Sequence, residues 1–248
     1  MKKSSLTVIA ICLVLFTYIL ASCSPAPNEK SSEGLEFVSN GNGTCYVKSI
    51  GTCTDTDIVI PSKSPDGDKV TSIGRFAFSS NYTLTSVVIP DSVTEIGEAA
   101  FWDCRKLTKV ELSSSLTTIG GSAFYWCDSL TSVKIPDSVT NIGEGAFQNC
   151  GALTNITIPN GVKSIGDGAF SSCQNLESVT VADSVTTIGF AAFHNCNRLT
   201  SVSFKNPEGW RCETYDNEIK IPSNDLSEPA TAAKHLTSTY YNATWYRD

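Results

Sequence analysis

Five of the ten cysteines in this 248-residue chain recur at one interval: Phe101/Cys104, Phe124/Cys127, Phe147/Cys150, Phe170/Cys173 and Phe193/Cys196 each spell Phe-x-x-Cys, 23 residues apart. A thiol in such a series can serve as nucleophile, disulfide half or metal ligand, and each use makes its own spatial demand. A nucleophile needs a lowered pKa and a basic partner. The chain has only two histidines, His194 in a variable position of the repeat and His235 in the tail, and five equivalent thiols single out none. Zinc needs four ligands converging on a point, which a straight ladder does not provide. A disulfide needs Cβ atoms about 3.5–4.5 Å apart, whereas parallel neighbours about 4.8 Å apart hold their Cβ atoms at that wider spacing. The ladder therefore reads as buried free thiols acting as small hydrophobes, with no metal and no cofactor.

Other chemistry is equally thin. There is no Gly-x-Ser-x-Gly elbow, no HExxH pair and no Gly-rich phosphate loop followed by Lys and Ser/Thr,. Aspartates and glutamates scatter over variable positions without forming an acid/base pair, so no catalytic residues are assigned. A net charge of −7 argues against nucleic acid as a partner, since phosphate binding needs a clustered basic face,.

The interval itself defines the elements. Six consecutive units of 23 residues begin at Val70, Val93, Leu116, Val139, Val162 and Val185, each approximating Val-Thr-x-Ile-Gly-x-x-Ala-Phe-x-x-Cys-x-x-Leu-Thr-x-Val-x-Ile-Pro-Asp-Ser. A period in this range means a solenoid, because one unit cannot bury its apolar residues and stacked units can. The Val-x-Ile segment alternates like a half-buried strand, and proline ends it. Val-x-x-Ile-Gly adds two inward side chains and a glycine that permits a tight bend. Ala-Phe-x-x-Cys suits a single helical or 3₁₀ turn. Six strands at roughly 4.8 Å predict a parallel sheet about 25–30 Å long. Along it runs a ladder of Phe78, Phe101, Phe124, Phe147, Phe170 and Phe193, beside that of Cys104, Cys127, Cys150, Cys173 and Cys196.

The N-terminus has the layout of a secretory signal peptide over 1–22: Lys2 and Lys3, an apolar stretch over 6–20, then Leu20-Ala21-Ser22-Cys23,. The apolar stretch falls short of the roughly 20 residues of a spanning helix. Leu20-Ala21-Ser22-Cys23 resembles the bacterial lipoprotein lipobox. That resemblance implies a lipid on Cys23, a tether over 23–34, and, with Ser24 rather than aspartate next, an outer-membrane or cell-surface address. Export permits oxidation, so Cys45 and Cys53, eight residues apart beyond an Asn40-Gly41-Asn42-Gly43 hairpin, are expected to form a disulfide,. Cys212 is left unassigned.

The spacing Leu-x-x-Val-x-Ile-Pro followed by Asp-Ser-Val-Thr-x-Ile-Gly-x-x-Ala-Phe resembles the leucine-rich repeats of the BspA-like family of bacterial surface proteins. The implied fold is a leucine-rich-repeat solenoid capped at both ends, with a β cap and partial first coil over 35–69, six repeats over 70–206 and a C-terminal cap over 207–248. Within the first of these, Ile58-Val59-Ile60-Pro61 reads as a strand and 62–69 as an inserted loop. Pro229, just inside a run of helix formers, predicts a short capping helix. The cysteine ladder lies before the strand's leucine, unlike the asparagine or cysteine ladder of ordinary leucine-rich repeats, which follows the strand. The resemblance implies adhesion to host extracellular-matrix proteins or to other cells, with fibronectin and fibrinogen as candidate ligands and the lipid as the only membrane contact. Two alternatives are an envelope-organising lipoprotein that binds a bacterial partner and, more remotely, a surface glycan hydrolase.

In a solenoid the binding information lies in outward, variable positions. On the strands the charged ones are Lys109, Glu111 and Lys134, among mostly small polar residues that suit a solvated face,. Between Phe and Cys the chain carries Ser79/Ser80, Trp102/Asp103, Tyr125/Trp126, Gln148/Asn149, Ser171/Ser172 and His194/Asn195. Trp102, Tyr125 and Trp126 break a small polar pattern on adjacent coils. They are candidate ligand anchors, or else pack against a cap or a neighbouring chain.

Overall fold

Each 23-residue unit closes one coil, and equivalent residues stack directly on one another: Ile96 pairs with Ile119, Ile119 with Ile142, Ile142 with Ile165 and Ile165 with Ile188. The computed structural model describes residues 31–214 and 217–247. The leader expected over 1–22, the expected lipidation site Cys23 and most of the expected tether over 23–34 lie outside the described residues.

The continuous sheet of the molecule is built from the Val-x-x-Ile-Gly segments. These form two-residue strands such as Glu95–Ile96, Thr118–Ile119 and Asn141–Ile142, in a ladder that reaches eleven strands with those of the caps. The glycine after each isoleucine explains why. Its N–H donates to the isoleucine carbonyl of the preceding coil, at 2.8 Å for Gly97 to Ile73 and 2.9 Å for Gly143 to Ile119. A Cβ on Gly143 would lie 2.5 Å from the Gly121 nitrogen, so the coils touch here only because a side chain is missing. These glycines do not adopt positive φ. Their role is close approach, not the tight bend expected from the sequence.

The six-strand ladder expected of the Val-x-Ile segments is split. Asp57–Val59, Ser86–Val88 and Lys109–Glu111 form one three-stranded parallel sheet, and Asn155–Ile158, Ser178–Val181 and Ser201–Phe204 another. Between them, 132–135 keeps the alternation, with Val133 and Ile135 buried, but joins neither sheet. Coil three is tied to coil two through the following loop instead, where the Ser138 hydroxyl donates to the Ser114 and Leu116 carbonyls at 2.8 and 2.6 Å.

The Ala-Phe-x-x-Cys turn uses two bond types in alternation. Ala100, Trp102 and Cys104 donate within the coil to Gly97, Ala99 and Phe101, three residues back, which is 3₁₀-type bonding,. The intervening amides of Ala99, Phe101 and Asp103 donate to Gly121, Ala123 and Tyr125 of the next coil. Amides aimed alternately within and along the solenoid require left-handed residues. Each coil has two, here Ala99 and Asp103 at φ 52° and 58°.

Inside, the six phenylalanine rings stack at 5.1–5.4 Å with planes within 7°. Each ladder thiol donates to the phenylalanine carbonyl of the preceding coil, Cys104 to Phe78 at 3.1 Å, Cys127 to Phe101 at 3.3 Å and Cys196 to Phe170 at 3.1 Å. The cysteine thus combines a small apolar volume with a weak donor for a buried carbonyl, which alanine would lack.

At the N-terminal end, antiparallel strands Glu36–Ser39 and Thr44–Ser49 flank the Asn-Gly turn as expected. The Cys45–Cys53 disulfide does not form, and both thiols are free. Cys45 lies at the start of its strand with its thiol directed at the Asp68 carbonyl, whereas Cys53 follows the turn beyond the strand's far end. Extended backbone at about 3.3 Å per residue holds the two apart, so nearness in sequence is not nearness in space. At the other end, the helix predicted at Pro229 runs over Pro229–Lys234, after a shorter one at Ser223–Ser227, and packs on strand Ser201–Phe204. Antiparallel strands Trp210–Glu213, Glu218–Lys220 and Thr244–Arg247, which the sequence did not announce, close the continuous sheet, with Trp210 and Trp245 buried beneath them.

Candidate functional site

The second left-handed position of each coil is filled by Ser80, Asp103, Trp126, Asn149, Ser172 and Asn195, all at φ 57–60°. Asparagine and aspartate tolerate this region because their short polar side chains bond locally. Trp126 has no such excuse. It holds φ 57° while 36% of the residue stays exposed, so the strained position is not one that hides the ring in the core. A bulky residue kept at a strained, exposed position makes Trp126 a candidate functional residue. Phe76 repeats the pattern at the first left-handed position of coil one, at φ 57° and 47% exposed, where later coils carry Ala99, Ser122, Gly145, Gly168 and Ala191.

Around Trp126 the turn edge of coils one to three forms a connected ridge. Trp102 stacks on Tyr125 at 6.5 Å and 22°, and Tyr125 meets Trp126 at 5.4 Å and 48°. The Arg105 guanidinium lies 5.1 Å from the Trp126 ring centre, and its Nε donates to Asp103 Oδ1 at 2.6 Å. The Tyr82 hydroxyl donates to Asp103 Oδ2 at 2.8 Å. Asp103 is buried while Tyr82 and Arg105 are exposed. One carboxylate under the surface therefore fixes two side chains above it. Burial pushes the neighbouring Asp128 carboxyl up, a shift that Arg105 opposes.

The sequence candidates thus separate into two groups. Trp102, Tyr125 and Trp126 are brought together on the turn edge. Lys109, Glu111 and Lys134 lie on the strand side, where Lys109 and Glu111 pair at 2.5 Å and Lys134 lines a groove of about 710 Å³ with Ser132, Asn155 and Thr157. Phe76, Tyr82, Asp103 and Arg105 were missed. For Tyr82 and Arg105 the signal was the position directly after the ladder residue, which reads Tyr82, Arg105 and Asp128 in coils one to three and Gly151, Gln174 and Asn197 in coils four to six.

The ladder thiols offer no reactivity. Burial pushes Cys104 and Cys196 up to about 12 and Cys127, Cys150 and Cys173 well above the ordinary thiol value. They stay protonated at neutral pH and are not nucleophiles. Among the described residues no group of three or more His, Cys, Asp or Glu could hold a metal ion.

Known proteins agree with this architecture. A leucine-rich repeat protein from Bacteroides ovatus is 32% identical, with a TM-score of 0.65 over 71% of this chain and 47% of that one, so this chain spans about half its length. The leucine-rich repeat protein of T. pallidum is 29% identical, with a TM-score of 0.59 over 71% of this chain and 90% of that one. A leucine rich cell surface protein from Faecalibacterium prausnitzii is 31% identical, with a TM-score of 0.61 over 77% of this chain and 61% of that one. No curated protein matches. The family described as BspA type leucine rich repeat region matches residues 71–200 in six copies. With its repeats stacked in register and its ladders buried, this chain belongs to the BspA-type leucine-rich-repeat family.

Proposed function

We propose that this protein-binding repeat module is held on the bacterial surface by a lipid on Cys23 and adheres to host extracellular-matrix proteins or to other cells through its aromatic ridge. The observation that carries the proposal is Trp126, strained and exposed among Trp102, Tyr125, Tyr82 and Arg105. Tryptophan, tyrosine and arginine are the residue types that dominate binding hot spots, and here they are pre-positioned on a rigid scaffold. The similarity to a cell surface protein of Faecalibacterium prausnitzii supports the address.

The test compares the mature protein with its Trp102→Ala/Tyr125→Ala/Trp126→Ala variant on immobilised fibronectin, fibrinogen and other matrix proteins, and on bacterial envelope fractions. Binding to matrix proteins that drops by tenfold or more in the folded variant, a loss of at least about 1.4 kcal/mol, is the expected outcome. Retention by envelope fractions alone transfers the module to envelope organisation. Unchanged matrix binding in the variant removes the ridge as the site.

A further inference from the structure

Arg105 is held in place with donors left over. A guanidinium presents five N–H groups. One of Arg105's, on Nε, is spent on Asp103 at 2.6 Å, and its terminal nitrogens have no hydrogen-bond partner among the described residues. Arg75, whose guanidinium lies 4.8 Å from the Phe76 ring centre, differs, because its terminal Nη2 is taken by Glu98 at 2.9 Å. Of the two carboxylates that act on this guanidinium of Arg105, Asp128 is open to solvent and Asp103 is not. Asp103 is 4% exposed, and both of its oxygens are occupied, by Arg105 and Tyr82. The guanidinium is also braced over the Trp126 ring. Part of the rotamer freedom that an arginine loses on binding is therefore already spent in the free protein.

A planar fork of free N–H groups matches a carboxylate in two parallel bonds, which an ammonium cannot reproduce. Beside it, Trp102, Tyr125 and Trp126 provide an apolar shelf for whatever adjoins that carboxylate. We infer that Arg105 is the specificity-determining residue of the ridge, binding a side-chain carboxylate of the partner, and that the partner segment is an acidic peptide with an aromatic or large apolar residue next to its aspartate or glutamate. The inference rests on the ridge being the ligand site and adds the chemistry of the ligand. A peptide is favoured over a glycan because the shelf has the tryptophan, tyrosine and arginine composition of protein hot spots.

The probe is a random copolymer of glutamate and tyrosine, immobilised and titrated with parent protein, Arg105→Gln, Arg105→Lys, Trp126→Ser and, as a control, Arg198→Gln from the last coil. Thermal unfolding verifies each fold. The expected result is salt-weakened binding by the parent, matched by Arg198→Gln, with a loss of roughly tenfold to a hundredfold in Arg105→Gln, as for a charged hydrogen bond. Arg105→Lys should recover only part of it. Absence of binding by the parent overturns the inference. So does a folded Arg105→Gln that binds like the parent; if Trp126→Ser then loses binding, the ridge survives and only the carboxylate assignment falls, whereas parent-like binding by both variants removes the ridge as well. Binding of hyaluronate, a uronic-acid polymer, in preference to the copolymer also overturns the peptide assignment.

Discussion

The turn edges of coils one to three and of coils four and five share one backbone and carry different chemistry. Trp126 and Asn149 occupy equivalent left-handed positions, at φ 57° and 60°, and so do Phe76 and Gly145, at 57° and 58°. Coils four and five fill these sites with residues the backbone favours, including Gly145, Asn149 and Gly168. Coils one and three place an exposed aromatic there, Phe76 and Trp126, and Asp103 of coil two holds the Arg105 that lies over Trp126. Beneath both edges the interior is uniform, with Phe124 and Phe147 stacked at 5.2 Å and equally buried. The interior is therefore the same beneath both edges, which makes the aromatic edge the candidate for recognition.

If that separation holds, damage to the interior should be large and should not depend on which edge lies above it. Phe124→Ala, under the aromatic edge, and Phe147→Ala, under the small one, should each cost about 3–5 kcal/mol, because each removes a fully buried ring from between two others,. Denaturant unfolding of the two variants checks this. A difference of more than about 1.5 kcal/mol between them would couple edge to ladder and break the comparison.

The interior should also respond to alkali. An unfolded thiol titrates near 8.5, whereas Cys104 and Cys196 are pushed up to about 12 by burial,. The folded state thus favours the protonated form. The resulting stability is complete below pH 8.5 and is lost as pH rises toward 12, because the unfolded chain releases protons that the folded chain keeps. Each such thiol steepens the decline by about 1.4 kcal/mol per pH unit. Replacing Cys104 with serine, which does not titrate, should flatten the curve of stability against pH by that amount between pH 9 and 11. An unchanged slope would mean that the thiol is not protected by burial.

The interior was legible because its 23-residue period repeats six times with one residue type at each inward position, which burial leaves almost no freedom to vary. Phe, Cys, Leu, Val and Ile could be assigned inward from that alone. The division of labour between strands was not legible, because the continuous sheet depends on how closely glycines let coils approach, and proximity in three dimensions has no signature in a two-residue strand. The Cys45–Cys53 pairing failed for a related reason, since an intervening strand converts eight residues of chain into separation. The aromatic members of the ridge stood out as departures from the repeat. Tyr82 and Arg105 depart from the Gly151, Gln174 and Asn197 of later coils only at the position after the ladder residue, and what makes them part of the ridge is a shared contact with Asp103, 21 residues from Tyr82 and two from Arg105. That Trp126 is strained was hidden as well, for the left-handed position emerges only from the alternation of amide directions between coils.

The smallest expected effect is the sharpest test, because it exchanges residues between the two edges. Trp126→Asn relieves a left-handed tryptophan, worth roughly 1–2 kcal/mol, and loses the Arg105 contact, worth about 0.5–1 kcal/mol at an exposed site,. The variant should be as stable as the parent or more stable by up to about 1.5 kcal/mol, while binding to the matrix ligand falls. Asn149→Trp makes the reverse exchange on coil four, where Gln148 stands in the place of Tyr125. It should lose about 1–2 kcal/mol and gain no binding. Thermal and denaturant unfolding of the pair, with binding measured on the same samples, separates strain tolerated for a ligand from strain the fold itself requires. If Trp126→Asn were instead clearly destabilised, the tryptophan would be a packing residue of coil three, and the difference between the two edges would be one of folding.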